Sequence, residues 1–243
     1  MKHKPLILLF LLSLPAILSF AQPDNRILVF VKTEGYHHQS IEAGKLALLK
    51  LGASHNVAVD TTADATFFNN DNLELYNAIV FLNTSGDVFN EDQQEAFKKY
   101  IQSGGGFVGI HSATDTEYEW PWYNKLVGAY FDSHPKQQEA IIEITNQIHP
   151  STAMLPAKWK KLDEWYNFKS FNEKVNVLAH LDESSYEGGK MGGKHPFIWY
   201  HEYDGGRAFY TGIGHREDNY ENELFLNHIW AAINWAMDKP ALD

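Results

Sequence analysis

Apolar positions along the chain fall into two patterns. Arg26-Ile27-Leu28-Val29-Phe30-Val31 and Ala78-Ile79-Val80-Phe81-Leu82 are unbroken runs, as expected of strands covered on both faces. Phe107 to Ile110 is a third run of this kind, and Asn56 to Asp60 is a shorter one. Between them lie stretches with helical spacing. Ser40 to Leu51 is closed by Gly52, and Glu91 to Ile101 carries Phe97, Tyr100 and Ile101 on one face, with Asn90 as its cap and Gly104 at its end. Strand and helix alternating at this distance predict an α/β domain built on a mostly parallel sheet with helices on both faces. The second half holds more strands, at 139–145, 175–181, 197–203 and 207–211. It closes with an amphipathic helix from about Glu223 to Met237. No repeat or linker divides the chain, so one domain is expected over residues 24–240.

The run Phe107 to Ile110, the fourth strand in chain order, ends in an unusual turn. Gly109-Ile110-His111-Ser112-Ala113 has the small-x-nucleophile-x-small outline of a nucleophile elbow, with histidine where serine or cysteine would stand. Ligands of open parallel sheets bind at the carboxyl ends of the strands. Histidines collect at that edge: His37 and His38 follow the first strand, His111 the fourth, and His215 the strand 207–211 through Gly212-Ile213-Gly214. His134 sits in a loop that can reach the same edge. Such a cluster suits a divalent ion such as zinc on His38, His111 and His215, which needs ring nitrogens about 2 Å from the ion and so roughly 3 to 4 Å apart. It equally suits direct acid–base chemistry near neutral pH. Asp115, Asp163 and Glu164 are the carboxylates placed to assist, together with Glu217. Glu117 and Glu119 read as solvated surface.

Aromatic residues gather around the same loops. Trp120, Trp122 and Tyr166 adjoin the polar motifs and are expected, with His134, to line a substrate pocket. Sugar rings stack on such faces while carboxylates take the hydroxyls. The glycine-dense stretch 186–194, "YEGGKMGGK", lacks the spacing of a phosphate loop, so no nucleotide cofactor is expected; it reads as a mobile surface loop or a lid.

Composition narrows the partners. The 243 residues carry a net charge of −11 and no basic run, which argues against nucleic acid and anionic membrane surfaces. There is no cysteine, so disulfides, thiolate ligands and a cysteine nucleophile are excluded together. Lys2 and Lys4 precede an apolar run from Pro5 to Phe20 that is short for a span and interrupted by Pro15. It reads as a signal peptide over residues 1–21, with export to the periplasm in a Gram-negative source or secretion otherwise.

With these residues placed, the chain resembles the ThuA-like (trehalose utilisation) family. The resemblance runs from about Ile27 to Ala236 and rests on "YHHQSI", "GGGFVGIHSATDTEYEWPWYNKLVGAYFDSHP", "IHPST", "LDEWYNF", "HPFIWYHEYDGGRAFYTGIGH" and "NHIWAAINWA". It implies a flavodoxin-like, class I glutamine amidotransferase-like fold. It puts the family's motif histidines on His38, His111, His134 and His215 and its acidic pair on Asp163 and Glu164. The parent amidotransferases carry cysteine at the elbow, so glutaminase chemistry is excluded on residue type. Ser112 to Trp120 reads as loop, with Pro121 opening a helix. The family setting implies an enzyme acting on a small carbohydrate, a sugar or keto-sugar glycoside. Two alternatives are a serine hydrolase, with Ser112 activated by His215 and Glu217, and a sugar-binding module without catalysis.

Overall fold

The computed structural model describes residues 25–238. The leader expected over residues 1–21 lies outside them. In chain order the elements are β1 (Asn25–Phe30), α1 (Ser40–His55), β2 (Val57–Thr62), α2 (Asn70–Leu73), β3 (Ala78–Leu82), α3 (Glu91–Gln102), β4 (Gly106–Ile110), α4 (Pro121–Val127), β5 (Tyr130–Ser133) and β6 (Gln138–Ile144). They continue as β7 (Lys158–Asp163), β8 (Asn167–Lys169), β9 (Asn176–Leu181), β10 (His195–Tyr203), β11 (Gly206–Thr211) and α5 (Glu223–Met237).

Nine strands form one sheet in the order β2-β1-β3-β4-β11-β10-β9-β6-β7. From β2 to β11 every pairing is parallel, which gives the expected α/β sheet. From β11 onward the pairings are antiparallel, so the second-half strands extend it into a mixed sheet. The unbroken apolar runs become strands buried on both faces: Ile27 to Phe30, Ala78 to Leu82 and Phe107, Val108 and Ile110 are each about 0–1% exposed. β11 lies in parallel register beside β4, with Thr211 opposite Ile110. His111 and the loop Gly212–His215 therefore leave neighbouring strands at the same level.

Local chemistry explains most element ends. α3 opens with a capping box, in which Asn90 and Gln93 each bond the other's backbone amide. Gly104 follows it at φ 91°. α1 runs past Gly52, its expected stop, to His55, and ends at Asn56 with φ 56°. Gly52 serves packing instead: a Cβ there would lie 2.2 Å from Val59 Cγ2 and 2.8 Å from the Val57 carbonyl, so only glycine lets α1 sit this close to β2. The stretch expected as loop after β4 contains a 3₁₀ turn, His111–Asp115, and Pro121 does open α4.

Two features bring distant chain over the carboxyl edge. β5 and β8 pair in a separate two-stranded sheet, which brings the segment after β7 close to the loops of the parallel half. The glycine-dense stretch 186–194 is tied down: Glu183 accepts from the amides of Met191 (2.8 Å) and Gly192 (3.2 Å), and Asn167 Oδ1 from that of Lys190 (2.7 Å). No helix among the described residues is long and apolar enough to cross a membrane.

Candidate functional site

His111 has φ 50°, the left-handed region that a non-glycine residue rarely occupies and that marks elbow turns. The turn closes tightly, since a Cβ on Gly109 would stand 3.0 Å from Ala113 Cβ and 3.2 Å from Tyr210. The ring is buried, and its Nδ1 lies 2.9 Å from the Gly212 carbonyl oxygen. A carbonyl only accepts, so Nδ1 carries the proton and Nε2 keeps a lone pair.

That lone pair looks into a cluster. His111 Nε2 is 3.3 Å from His215 Nδ1 and 3.5 Å from Glu164 Oε2, and His215 Nδ1 is 3.1 Å from the same oxygen. His38 completes the group: one ligand atom from each of His38, His111, Glu164 and His215 lies within 4.8 Å of the others. A tetrahedral ion at ~2.0–2.1 Å from N and O ligands separates them by about 3.3 Å. The three measured separations are of that size. The expected strand exits of β1, β4 and β11 thus deliver their imidazoles to one place, joined by a carboxylate from the segment after β7.

Burial, reinforced by the charges of His111 and His215, pushes His38 down to about 2, so its ring is neutral and can offer a lone pair. Burial alone would raise the Glu164 carboxyl. Hydrogen bonds and charge from His111 and His215 outweigh it and hold Glu164 below the usual carboxylate range. Three imidazoles around an ionised carboxylate make a donor set for a divalent cation, which each ring can join only in its neutral form.

His38, Glu164 and His215 line a cavity of about 310 Å³, while His111, expected to line it with them, is fully buried behind them. Aromatic rings of Tyr36, Phe131 and Tyr166 line it, with Asp115, His134 and Gln137 as polar groups. Tyr166 is 4.2 Å from the His111 ring and 4.3 Å from Phe131, centroid to centroid. It is buried beneath the cavity, where exposure was expected. Asp115 accepts from Tyr118 Oη at 2.6 Å, and burial raises its carboxyl above the ordinary value. His134 is exposed and sits 3.3 Å from Glu164 Oε1 through Nδ1. A larger groove, about 510 Å³, lies against α1 between Leu46 and Leu226 and holds no imidazole.

Several expected roles change. Trp120 and Trp122 do not line the cavity. They stack on each other at 4.9 Å, pack against Phe97 of α3, and Trp122 Nε1 donates to Asp204. The signal misled because the loop turns after Glu117 and carries both rings towards α3. Asp163, expected to take part in catalysis, is fully buried and spends its oxygens on structure: Oδ2 accepts from Gly214 N (3.1 Å) and Asn219 Nδ2 (2.7 Å), Oδ1 from Glu164 N (2.9 Å). Glu117, expected on the surface, is 1% exposed and clamps the loop after β3, accepting from Val88 N, Phe89 N and Gln94 Nε2 at 2.7–2.8 Å. Glu119 is exposed as expected.

The serine hydrolase arrangement is not formed. Ser112 is fully buried and shares a hydrogen bond with His38 Nδ1 at 3.3 Å, which steadies that ring. The carboxylate on His215 is Glu164, while Glu217 is exposed at the cleft mouth. Residues without a motif also matter. Asn83, at the exit of β3 with φ 51°, donates to Ser40 Oγ (2.9 Å) and the Gly214 carbonyl (3.2 Å), tying the loops after β1 and β11 together. Tyr36 and Gln137 had no sequence signal beyond lying beside His37 and the His134 loop.

The site and fold define a class I glutamine amidotransferase-like α/β protein whose elbow bears an imidazole in place of a nucleophile. The chain belongs to the ThuA family, described as trehalose utilisation, which it matches over residues 26–236. It is similar to a ThuA-like protein from Bacteroides uniformis (26% identity, TM-score 0.76, covering 92% of this chain and 95% of that one). A ThuA-like protein from Parabacteroides merdae is similar at 20% identity, with a TM-score of 0.74 and 90% and 92% coverage. A glutamine amidotransferase from Thermotoga maritima shares the fold, at 12% identity, 88% and 97% coverage and a TM-score of 0.52. No match is found among curated proteins.

Proposed function

We propose that the chain is a metal-dependent enzyme of carbohydrate metabolism, acting on a sugar or keto-sugar glycoside. The convergence of His38, His111, His215 and Glu164 within 4.8 Å at a cavity wall carries this reading. These four residues would hold a divalent ion such as zinc. Bound there, the ion would polarise a substrate oxygen or lower the pKa of a water. The other residues have roles of their own. Asp115, with Oδ1 occupied by Tyr118, offers Oδ2 for proton transfer, and its raised carboxyl is suited to holding a proton. His134 sits opposite as the second proton-transfer group. Tyr36 and Phe131 offer faces on which a sugar ring can stack, with Tyr166 packed behind Phe131. The family's description supports a sugar as the substrate, and Lys2 and Lys4 followed by the apolar run from Pro5 to Phe20 support export, to the periplasm in a Gram-negative cell.

The test is purified protein, with and without chelation, assayed on a panel of glycosides and 3-keto-glycosides alongside elemental analysis. The expected result is about one divalent ion per chain and activity that is lost on chelation and restored by zinc. Full activity in metal-free protein would refute the metal and leave His111, His134 and Glu164 as acid–base groups.

A further inference from the structure

Gln137 touches the outer side of His215, and the way it does so bears on how that histidine can ligate. Gln137 Nε2 is 2.7 Å from His215 Nε2. Arg216 NH1 is 3.2 Å from Gln137 Oε1. A guanidinium only donates and an amide NH₂ has no lone pair, so the amide oxygen must face Arg216 and its NH₂ must face the imidazole. His215 Nε2 is therefore the acceptor. In a neutral ring the proton then sits on Nδ1, 3.1 Å from Glu164 Oε2. Arg216 is itself fixed by Asp218, with Nε to Oδ1 at 3.0 Å and NH2 to Oδ2 at 2.9 Å. The chain Asp218–Arg216–Gln137 thus sets which nitrogen of His215 is protonated.

Nδ1 is the nitrogen that faces the cluster, 3.3 Å from His111 Nε2. A ligand nitrogen must present a lone pair, and ligating imidazoles usually donate their other N–H to a carbonyl or carboxylate. His111 already meets that condition through Gly212. His215 does not.

We propose that Gln137 is a positioning residue that controls ligation by His215, a reading that rests on the metal site proposed above. Metal binding moves the ring proton from Nδ1 to Nε2 with no change of net charge. The Gln137 amide turns so that Oε1 accepts from Nε2–H, and Arg216 NH1 is released. That NH1 then faces the outer part of the cleft, a cavity of about 430 Å³ that Tyr36, Gln39 and Gln137 help to line, where it can donate to substrate oxygens. Occupancy of the ion site and the availability of a donor at the cleft mouth are linked through one amide.

The experiment measures zinc affinity by chelator competition for the full chain and for Gln137→Glu, Arg216→Met and Gln39→Glu. A carboxylate at 137 accepts from Nε2–H without turning, so Gln137→Glu should bind zinc about tenfold tighter or more. Arg216→Met frees the amide and should tighten binding several-fold. Gln39→Glu adds the same charge to the same cleft without touching His215 and should stay within about twofold. A merely structural role for Gln137 and Arg216 predicts weaker binding in both variants, and that result, or no change in either, would overturn the proposal. Imidazole ¹⁵N shifts give the second readout: the protonated nitrogen of His215 should be Nδ1 without metal and Nε2 with zinc. Finding Nε2–H in the metal-free protein would also overturn it. Wild-type protein that binds no divalent ion would end the metal reading and this inference with it, whereas binding that the variants leave unmoved would end only the inference.

Discussion

The imidazole of His111 and the carbonyl of Gly212, 2.9 Å apart, join the exits of two neighbouring parallel strands. The bond fixes the ring's orientation and leaves Nε2 free towards His215 and Glu164. His111→Ala removes a ligand nitrogen outright, so zinc affinity should fall by more than the ~10–100-fold typical of losing an outer partner. His134→Ala removes only an exposed contact to Glu164 Oε1 and should cost no more than about tenfold. Chelator competition on both variants is the check, and equal losses would place the cluster wrongly.

Ser112 steadies His38 and faces no cavity. Ser112→Ala should retain most activity at saturating metal and lose roughly 10–100-fold in metal affinity, the size of effect expected of an outer partner. A fluorophosphonate reagent should leave the wild-type protein unlabelled at this position. Labelling of Ser112 would revive the serine hydrolase.

The relocation of the tryptophans makes a kinetic prediction. Trp122→Ala should leave KM within about twofold, because its ring lies against Phe97 and Tyr203. Phe131→Ala, at the cavity wall, should raise KM about tenfold or more, since an aromatic contact of this kind is worth ~1 kcal/mol beyond its area. The reverse ranking in steady-state kinetics would return the substrate to the tryptophans.

Asp163 accepts three hydrogen bonds from a fully buried position. Asp163→Ala leaves those donors unmatched and should cost about 3 kcal/mol of stability, seen as a lower midpoint in urea. Zinc affinity should fall alongside it, because Glu164 and the Gly214 loop lose their common anchor. Unchanged stability would show that Asp163 is dispensable to the loop.

Burial pushes His149 and His228 down to about 4 from an ordinary 6.5, so the unfolded chain binds more protons than the folded one between those values. Their contribution is complete above about pH 6.5. It diminishes as pH falls and is gone below about 4, by up to ~3 kcal/mol for each ring. Denaturation midpoints measured from pH 7 to 4 should fall steadily. His228→Gln should flatten that slope, and a slope unaltered in the variant would assign the loss to other groups.

The parts of the site set by strand periodicity could be read in advance. His38, His111 and His215 follow strands whose apolar runs are unmistakable, and a parallel sheet brings their exits to one edge. Glu164 was identified as a candidate, but its route to the cluster depends on β8 pairing with β5, a non-local contact that leaves no periodic trace. Glu117 reads as surface in the sequence, whereas its burial follows from a left-handed turn, φ 56°, and from the amides of Val88 and Phe89 far away in sequence. Gln137 carries no sequence signal, because a lone glutamine forms no pattern; its importance comes from the atoms it meets.

Asp163 and Glu164 are adjacent, yet one carboxylate is sealed under the Gly214 loop and the other faces the imidazoles. Extended backbone sends successive side chains to opposite sides, and β7 keeps that alternation with Trp159 and Asp163 buried while Lys158, Lys160 and Leu162 are exposed. The site is therefore sensitive to parity. Inserting a single residue within β7 would exchange the two acids, putting the anchor in the cleft and the ligand in the interior. Length changes in the 145–157 segment that joins β6 to β7 leave that alternation in place, although His149, Ser151 and Leu155 are buried there. The number of residues in β7 thus decides which of the two acids faces the imidazoles.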